Sequence, residues 1–256
     1  MRGRVLIVAG SDSGGGAGIQ ADLKTVLALG AHGMTAVTAL TAQDTLGVHG
    51  VHPVPAPFVR QQMEVVLADL GADAVKTGML GSANVIETVA DVLRGRGLPL
   101  VLDPVMVAKG GARLLDPAAL DALRALIPLA TLLTPNIPEA EALLDHPIHD
   151  PAEAAVALLA LGAQAVLLKG GHAEGPVVRD VLATAAGLVV LDMPRIDTRH
   201  THGTGCTLAS AVAAGLSQGM PLEQAVRRAR DYVQAAIMAA PGFGAGHGPL
   251  DHGALT

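Results

Sequence analysis

The chain has 256 residues, with 17 Lys and Arg against 23 Asp and Glu, a formal charge of −6 at pH 7. That acidic balance excludes a general nucleic-acid binder, which carries a basic face. Half of the residues are hydrophobic but only 1% are aromatic, so disorder is excluded and the core must be built from Ala, Val and Leu. One cysteine, Cys206, cannot form an intrachain disulfide, and the chain is expected to work in the cytoplasm. Mean hydropathy is +0.46, yet the uncharged stretch 25–43 is broken by Gly30, His32 and Gly33. It reads as a helix end, a turn and a buried strand, so no membrane association is expected. The apolar run 5–9 behind Arg2 and Arg4 is too short for the core of a signal peptide.

Apolar runs and helical periodicity alternate along the chain: strand 5–9, helix 17–29, strand 34–40, helix 57–69, strand 74–76, helix 83–94, strand 100–103, helix 117–127, strand 131–134, helix 151–161, strand 165–168. Runs 177–182 and 188–191 predict a hairpin around Ala186 and Gly187, and helices at 207–217 and 221–239 follow. The alternation is the mark of βαβ units. It predicts one α/β domain over 1–256, with a central, mostly parallel sheet and helices on both faces. Ligands of such sheets sit beyond the carboxyl ends of the strands. The loops there, 10–18, 41–57, 77–82, 104–113, 135–139, 169–175 and 199–206, are rich in Gly and polar residues.

Several of these loops carry candidate chemistry. Before an apolar helix, His202-Gly203-Thr204-Gly205-Cys206-Thr207 can point successive N–H groups at one spot and form an anion hole, or be a Gly-rich turn. The helix start would lower the Cys206 thiol pKa and favour thiolate. The loop 10–18 follows the first strand, but it lacks the Lys of a P-loop and the acidic residue of a Rossmann unit. It is either a close approach to a flat substrate or a flexible turn. Asp22 and Gln43 both fit one cleft, where the Gln43 amide would match an aminopyrimidine edge; each also reads as an ordinary surface or loop residue. Asp103, before Pro104, can hold Mg²⁺ beside a phosphate or simply end a strand. Asn136 and Glu139 form a capping-box pattern, a structural explanation sufficient by itself. Lys169 can reach a nucleotide phosphate or be a solvated strand exit. His200, His202 and His247 lack metal-ligand spacing, so no zinc site is expected.

In their order along the chain, these motifs, with Lys76-Thr77-Gly78-Met79-Leu80 and Lys169-Gly170-Gly171-His172, resemble the ribokinase-like superfamily. Within it they resemble the hydroxymethylpyrimidine/phosphomethylpyrimidine kinases of thiamin biosynthesis. The resemblance implies an enzyme that uses ATP and Mg²⁺ to phosphorylate a small aminopyrimidine alcohol and then its monophosphate. It implies that Gln43, Gly10 and Asp22 hold the pyrimidine while Met79 and Val105 sandwich its ring. By the same resemblance Gly203, Thr204, Gly205 and Cys206 form the anion hole, with Cys206 standing where most ribokinase-like enzymes have an aspartate base. Asn136, Glu139 and Asp103 organise Mg²⁺ and its waters, and Lys169 meets the nucleotide phosphates. A homodimer is implied in the same way.

One departure stands out. Related kinases commonly carry a Lys before Gly-x-Gly-Pro, where this chain reads Gly244-Ala245-Gly246-His247-Gly248-Pro249, which leaves Lys109 to supply that charge. Two rival functions fit the same motifs: a pyridoxal or pyridoxine kinase, and a pyrimidine-binding protein that has lost transfer. A cysteine-nucleophile hydrolase is weaker, because no His and acidic partner can be placed beside Cys206.

Overall fold

A computed structural model describes residues 3–108, 110–171 and 175–254. In chain order the elements are β1 (Arg4–Asp12), α1 (Gly18–Ala28), β2 (His32–Gln43), β3 (Val48–Pro53), α2 (Ala56–Asp69), β4 (Ala74–Thr77), α3 (Ala83–Leu93), β5 (Leu100–Leu102), α4 (Leu120–Leu126), β6 (Leu132–Leu133), α5 (Ile137–Leu144), α6 (Pro151–Leu159), β7 (Ala165–Leu168), β8 (Val177–Thr184), β9 (Gly187–Pro194), α7 (Thr204–Ser217) and α8 (Leu222–Met238). The strands form one nine-stranded sheet in the order β3-β2-β1-β4-β5-β6-β7-β8-β9. Pairing is parallel from β2 through β7 and antiparallel at the two margins, β2 with β3 and β7 through β9.

The period-2 alternation of strand side chains divides the core in two. Leu6 and Val8 of β1, with Leu100 and Leu102 of β5, pack against α2 to α6. Val5, Ile7 and Ala9 of β1, with Val101 of β5, face α1, α7 and α8. Ala209, Ala211, Val212, Ala213 and Ala214 let α7 lie close on the sheet. The fold class is therefore the one expected, and the hairpin is β8 and β9, closed by pairing of Thr184 with Gly187.

Four elements differ from expectation, the first being α5, a helix over Ile137–Leu144 of which only the capping-box pattern at its start was expected. Residues 48–53, expected as loop, form β3, paired antiparallel to β2 with Thr41 opposite Val51. Most of β3 is exposed, so no alternation of buried residues announces it. The helix expected over 117–127 is divided into a 3₁₀ turn at Pro117–Ala119, α4, and a second 3₁₀ turn at Ile127–Leu129 that contains Pro128. Helix α7 begins at Thr204, which places Gly205 and Cys206 inside its first turn.

Candidate active site

The carboxyl edge of the sheet gathers Asp12, Gln43, Thr77, Asp103, Thr134 and Lys169, each at or just past the end of a strand. Above it lies the start of α7. Gly203 is its N-cap, with φ 81°, a conformation that favours glycine. A Cβ there would strike the carbonyl oxygen of Gly16, and one at Gly16 would strike the ring of His202, so these two Gly-rich loops are in direct contact. The helical ladder begins with Thr207 N–H on Gly203 O at 2.9 Å. Gly205 and Cys206 therefore keep first-turn N–H groups at the positive end of the helix, which is the arrangement of an anion hole.

Two lysines lie against this hole. Lys76, on β4, is fully buried and donates to both carboxylate oxygens of Asp22 at 2.8 and 2.9 Å, while Ser210 of α7 donates to Asp22 at 2.7 Å. Burial alone would lower the Lys76 pKa, but the charges of Asp22 and Asp103 raise it above the ordinary lysine value. Asp22 is thus a buried counter-ion, and its expected place in the open cleft is corrected. An isolated ammonium cannot be held in the interior, so the helix that follows the Gly-rich loop supplies its partner. The second correction concerns Cys206. Desolvation pushes its thiol up to about 11, outweighing the downward pull of Lys76 and of the Gly18 N–H, so at neutral pH it is a thiol.

The second lysine, Lys169, sits 3.0 Å from Asp103 Oδ1 and 4.0 Å from Glu139 Oε2. A Cβ on Gly205 would lie 3.2 Å from its Nζ, so this ammonium touches the first turn of α7. Burial works against its charge, but Asp103 and Glu139 raise its pKa. Asp103 is buried and also accepts from Thr134 Oγ1 at 3.0 Å. The capping box is present at the head of α5: Asn136 Oδ1 accepts from Glu139 N–H at 2.9 Å and Glu139 Oε2 from Asn136 N–H at 2.8 Å. Burial pushes the Glu139 carboxyl up to about 7, with Asp103 adding to the rise and Lys169 opposing it.

Across the hole, Asp12 organises the first loop. Gly14 and Ala17 N–H donate to its carboxylate at 2.8 Å and Gly16 N–H at 3.1 Å. His202 Nε2 lies 2.8 Å from Oδ2 of the same group. Burial opposes ionisation of Asp12, but the bonds from His202, Ala17 and Gly14 hold its carboxyl below the ordinary range. The Gln43 amide reaches this cluster, with its Nε2 3.3 Å from His202 Nε2 and its Oε1 3.1 Å from Thr41 Oγ1. Partly exposed Met79 packs against Gly10, where a Cβ would lie 3.0 Å from its sulfur, and Val105 is also partly exposed. The C-terminal Gly segment covers the turn after β2: Gly246 N–H donates to Thr45 Oγ1 at 3.2 Å and His247 N–H to Thr45 O at 2.9 Å. Beside Ala245, in place of the family Lys, lies the guanidinium of Arg199, 3.5 Å from the Ala245 carbonyl. Lys109 and His172 lie outside the described residues.

The structure thus brings Gly203, Thr204, Gly205, Cys206, Asp103, Lys169 and Glu139 together and seats Gln43 at one side. Sequence reasoning assigned no role to Asp12, Lys76, His202 or Ser210. The first two lie at or near strand ends and His202 next to the hole, but each gains its meaning from a partner distant in the chain.

The sequence signature described as phosphomethylpyrimidine kinase matches residues 12–251. A hydroxymethylpyrimidine/phosphomethylpyrimidine kinase of Streptomyces coelicolor is 53% identical over 253 residues, covering 97% of this chain and 94% of the relative. Among solved structures, an ADP complex of Bacillus subtilis pyridoxal kinase superimposes with a TM-score of 0.93 at 40% identity, covering 100% of this chain and 99% of that one. A phosphomethylpyrimidine kinase from Clostridium difficile gives a TM-score of 0.81 at 40% identity, covering 91% of this chain and 99% of that one. These likenesses bear out the ribokinase-like fold. Taken with the hole and its lysines, they place the chain among phosphate-transferring enzymes, and it belongs to the phosphomethylpyrimidine kinase family.

Proposed function

We propose that this chain, acting as one kinase domain, transfers the terminal phosphoryl group of ATP to the hydroxymethyl group of 4-amino-5-hydroxymethyl-2-methylpyrimidine. It then acts on the monophosphate to give the diphosphate for thiamin synthesis. The observation that carries this reading is the anion hole at the head of α7, which lies against two lysines with an amide-lined edge across from it. Phosphoryl transfer demands positioning and charge stabilisation more than covalent chemistry. The N–H groups of Gly205 and Cys206 hold developing negative charge, and Lys169 meets the nucleotide phosphates. Gln43 reads the ring edge, and Met79 and Val105 flank the ring near Gly10. Cys206, a thiol at neutral pH, contributes its backbone N–H more than a base.

Asp103 and Glu139 are two buried carboxyl groups that share one ammonium, Lys169, and Glu139 has its ionisation suppressed by burial. A divalent cation suits that deficit, and Mg²⁺ needs only one or two carboxylates when phosphates and waters complete its shell. Asp103 and Glu139 would hold it, with Asn136 fixing Glu139; when bound it neutralises charge on the transferring phosphates. The reading includes a homodimer and a cytoplasmic location. The unpaired Cys206 supports the location alone; among the described residues no helix is long and apolar enough to cross a membrane.

The test is ADP release with ATP and Mg²⁺, run side by side on the hydroxymethylpyrimidine, its monophosphate and pyridoxal. Turnover of both pyrimidines is expected. A preference for pyridoxal, the second reading favoured by the likeness to the Bacillus subtilis enzyme, would overturn it. Light scattering checks the dimer.

A further inference from the structure

The protons around Gln43 do not add up in the orientation its amide adopts. Its Oε1 faces Thr41 Oγ1 at 3.1 Å, but the single hydroxyl proton of Thr41 is already directed to Ser11 O at 2.9 Å. Its Nε2 faces His202 Nε2 at 3.3 Å. That ring nitrogen lies 2.8 Å from Asp12 Oδ2, a carboxylate that only accepts, so it carries a proton whether the imidazole is neutral or charged. Two donors therefore meet at His202, and two acceptors at Thr41.

A half-turn of the amide about its last bond repairs both contacts, since its nitrogen and oxygen occupy equivalent positions. The oxygen then takes the longer arm, 3.3 Å, of a three-centre bond from the His202 Nε2–H, whose shorter arm stays on Asp12 Oδ2 at 2.8 Å, and the nitrogen donates to the lone pair of Thr41 Oγ1. Nothing else need move. Asp12 is held in turn by the N–H groups of Gly14, Gly16 and Ala17, so the ring of His202 is fixed from behind and is itself buried.

We propose that His202 is a positioning residue that locks the Gln43 amide in this turned orientation and so sets which edge of the substrate ring the enzyme accepts. The proposal rests on Gln43 reading the ring. The locked amide keeps one N–H and one oxygen lone pair for the ligand. An aminopyrimidine alcohol presents an amino donor beside a ring-nitrogen acceptor. In pyridoxal the position of the amino donor is taken by an aldehyde oxygen, which only accepts. A fixed amide pairs with one pattern and leaves buried polar groups unpaired against the other, whereas an amide free to turn serves both.

The experiment measures kcat and KM for the hydroxymethylpyrimidine and for pyridoxal in the wild type, His202→Phe, His202→Gln and Gln43→Ala, with melting temperatures as a check on folding. Phe keeps the ring and removes the proton; Gln restores a donor near the Nε2 position. His202→Phe is expected to lower the pyrimidine-over-pyridoxal ratio of kcat/KM by about tenfold, the worth of one oriented hydrogen bond, with the change in KM. His202→Gln is expected to recover most of that ratio. If Gln43→Ala leaves the ratio unchanged, the reading of Gln43 itself falls and the proposal with it. If Gln43→Ala collapses the ratio while His202→Phe preserves it, the positioning role alone is overturned. Should His202→Phe fail to fold, ¹⁵N NMR of the wild-type protein decides: a nuclear Overhauser contact from the Gln43 side-chain NH₂ to the Thr41 methyl supports the turned amide, and one to the His202 ring refutes it.

Discussion

Replacing Asp22 by Asn keeps the shape of the side chain and removes the charge that compensates Lys76. Both side chains are fully buried, and the ammonium makes two bonds to the carboxylate, at 2.8 and 2.9 Å. Asn offers one oxygen where Asp offers two, and its NH₂ would face a cation. Breaking a buried pair by removing one partner costs about 3–5 kcal/mol. For a chain of this size that corresponds to a fall of about 6–20 °C in melting temperature. The assay is urea and thermal unfolding of Asp22→Asn, Lys76→Met and the double variant. Because the penalty is an uncompensated charge and not a lost contact, the double variant is expected to be more stable than Asp22→Asn alone. The reasoning is refuted if Asp22→Asn lies within about 1 kcal/mol of wild type, the ordinary range for a mild substitution, or if the double variant is no better than the single one.

Three further outcomes follow from the site. The rate of Cys206 alkylation by iodoacetamide is expected to rise about tenfold per pH unit between pH 7 and 10, because a thiol pushed up to about 11 is scarcely ionised at neutrality; a plateau below pH 9 would contradict the raised pKa. The proposed Mg²⁺ ligand Glu139, pushed up to about 7, could hold the ion only when ionised, so Mg²⁺ affinity measured by calorimetry is expected to weaken as pH falls below 7. Its raised carboxyl has the opposite effect on stability, which this group increases as pH falls from about 7 toward its unfolded value near 4.3. Glu139→Gln should abolish both trends, and a variant that retains them disproves the assignment. Gly203→Ala is expected to lower kcat by about a hundredfold, since its Cβ meets the Gly16 carbonyl and parts the two loops. The accompanying loss of stability should be about 1–3 kcal/mol. Wild-type turnover in that variant would show that the loops need not touch.

The sequence revealed local features well and tertiary ones poorly. Asn136 and Glu139 lie three residues apart, so their capping box could be read directly, and so could the Gly-rich start of α7. β3 escaped because an exposed margin strand has no buried face to impose alternation. The environment of Asp22 depends on Lys76, 54 residues away, and on Ser210, 188 residues away. Cys206 shows why a local rule failed: the helix start does favour thiolate, but desolvation by neighbours from other segments wins.

The bond between Asp12 and His202 spans 190 residues. Most of the parallel sheet can assemble as the polypeptide emerges from the ribosome, because neighbouring parallel strands are mostly successive in the chain. The hole cannot: its first loop waits at the end of β1 until the start of α7 has been synthesised and has docked. A nascent chain ending after β9 would carry most of the scaffold with an unclosed catalytic edge. Activity should therefore appear late in refolding, after the bulk of secondary structure has returned.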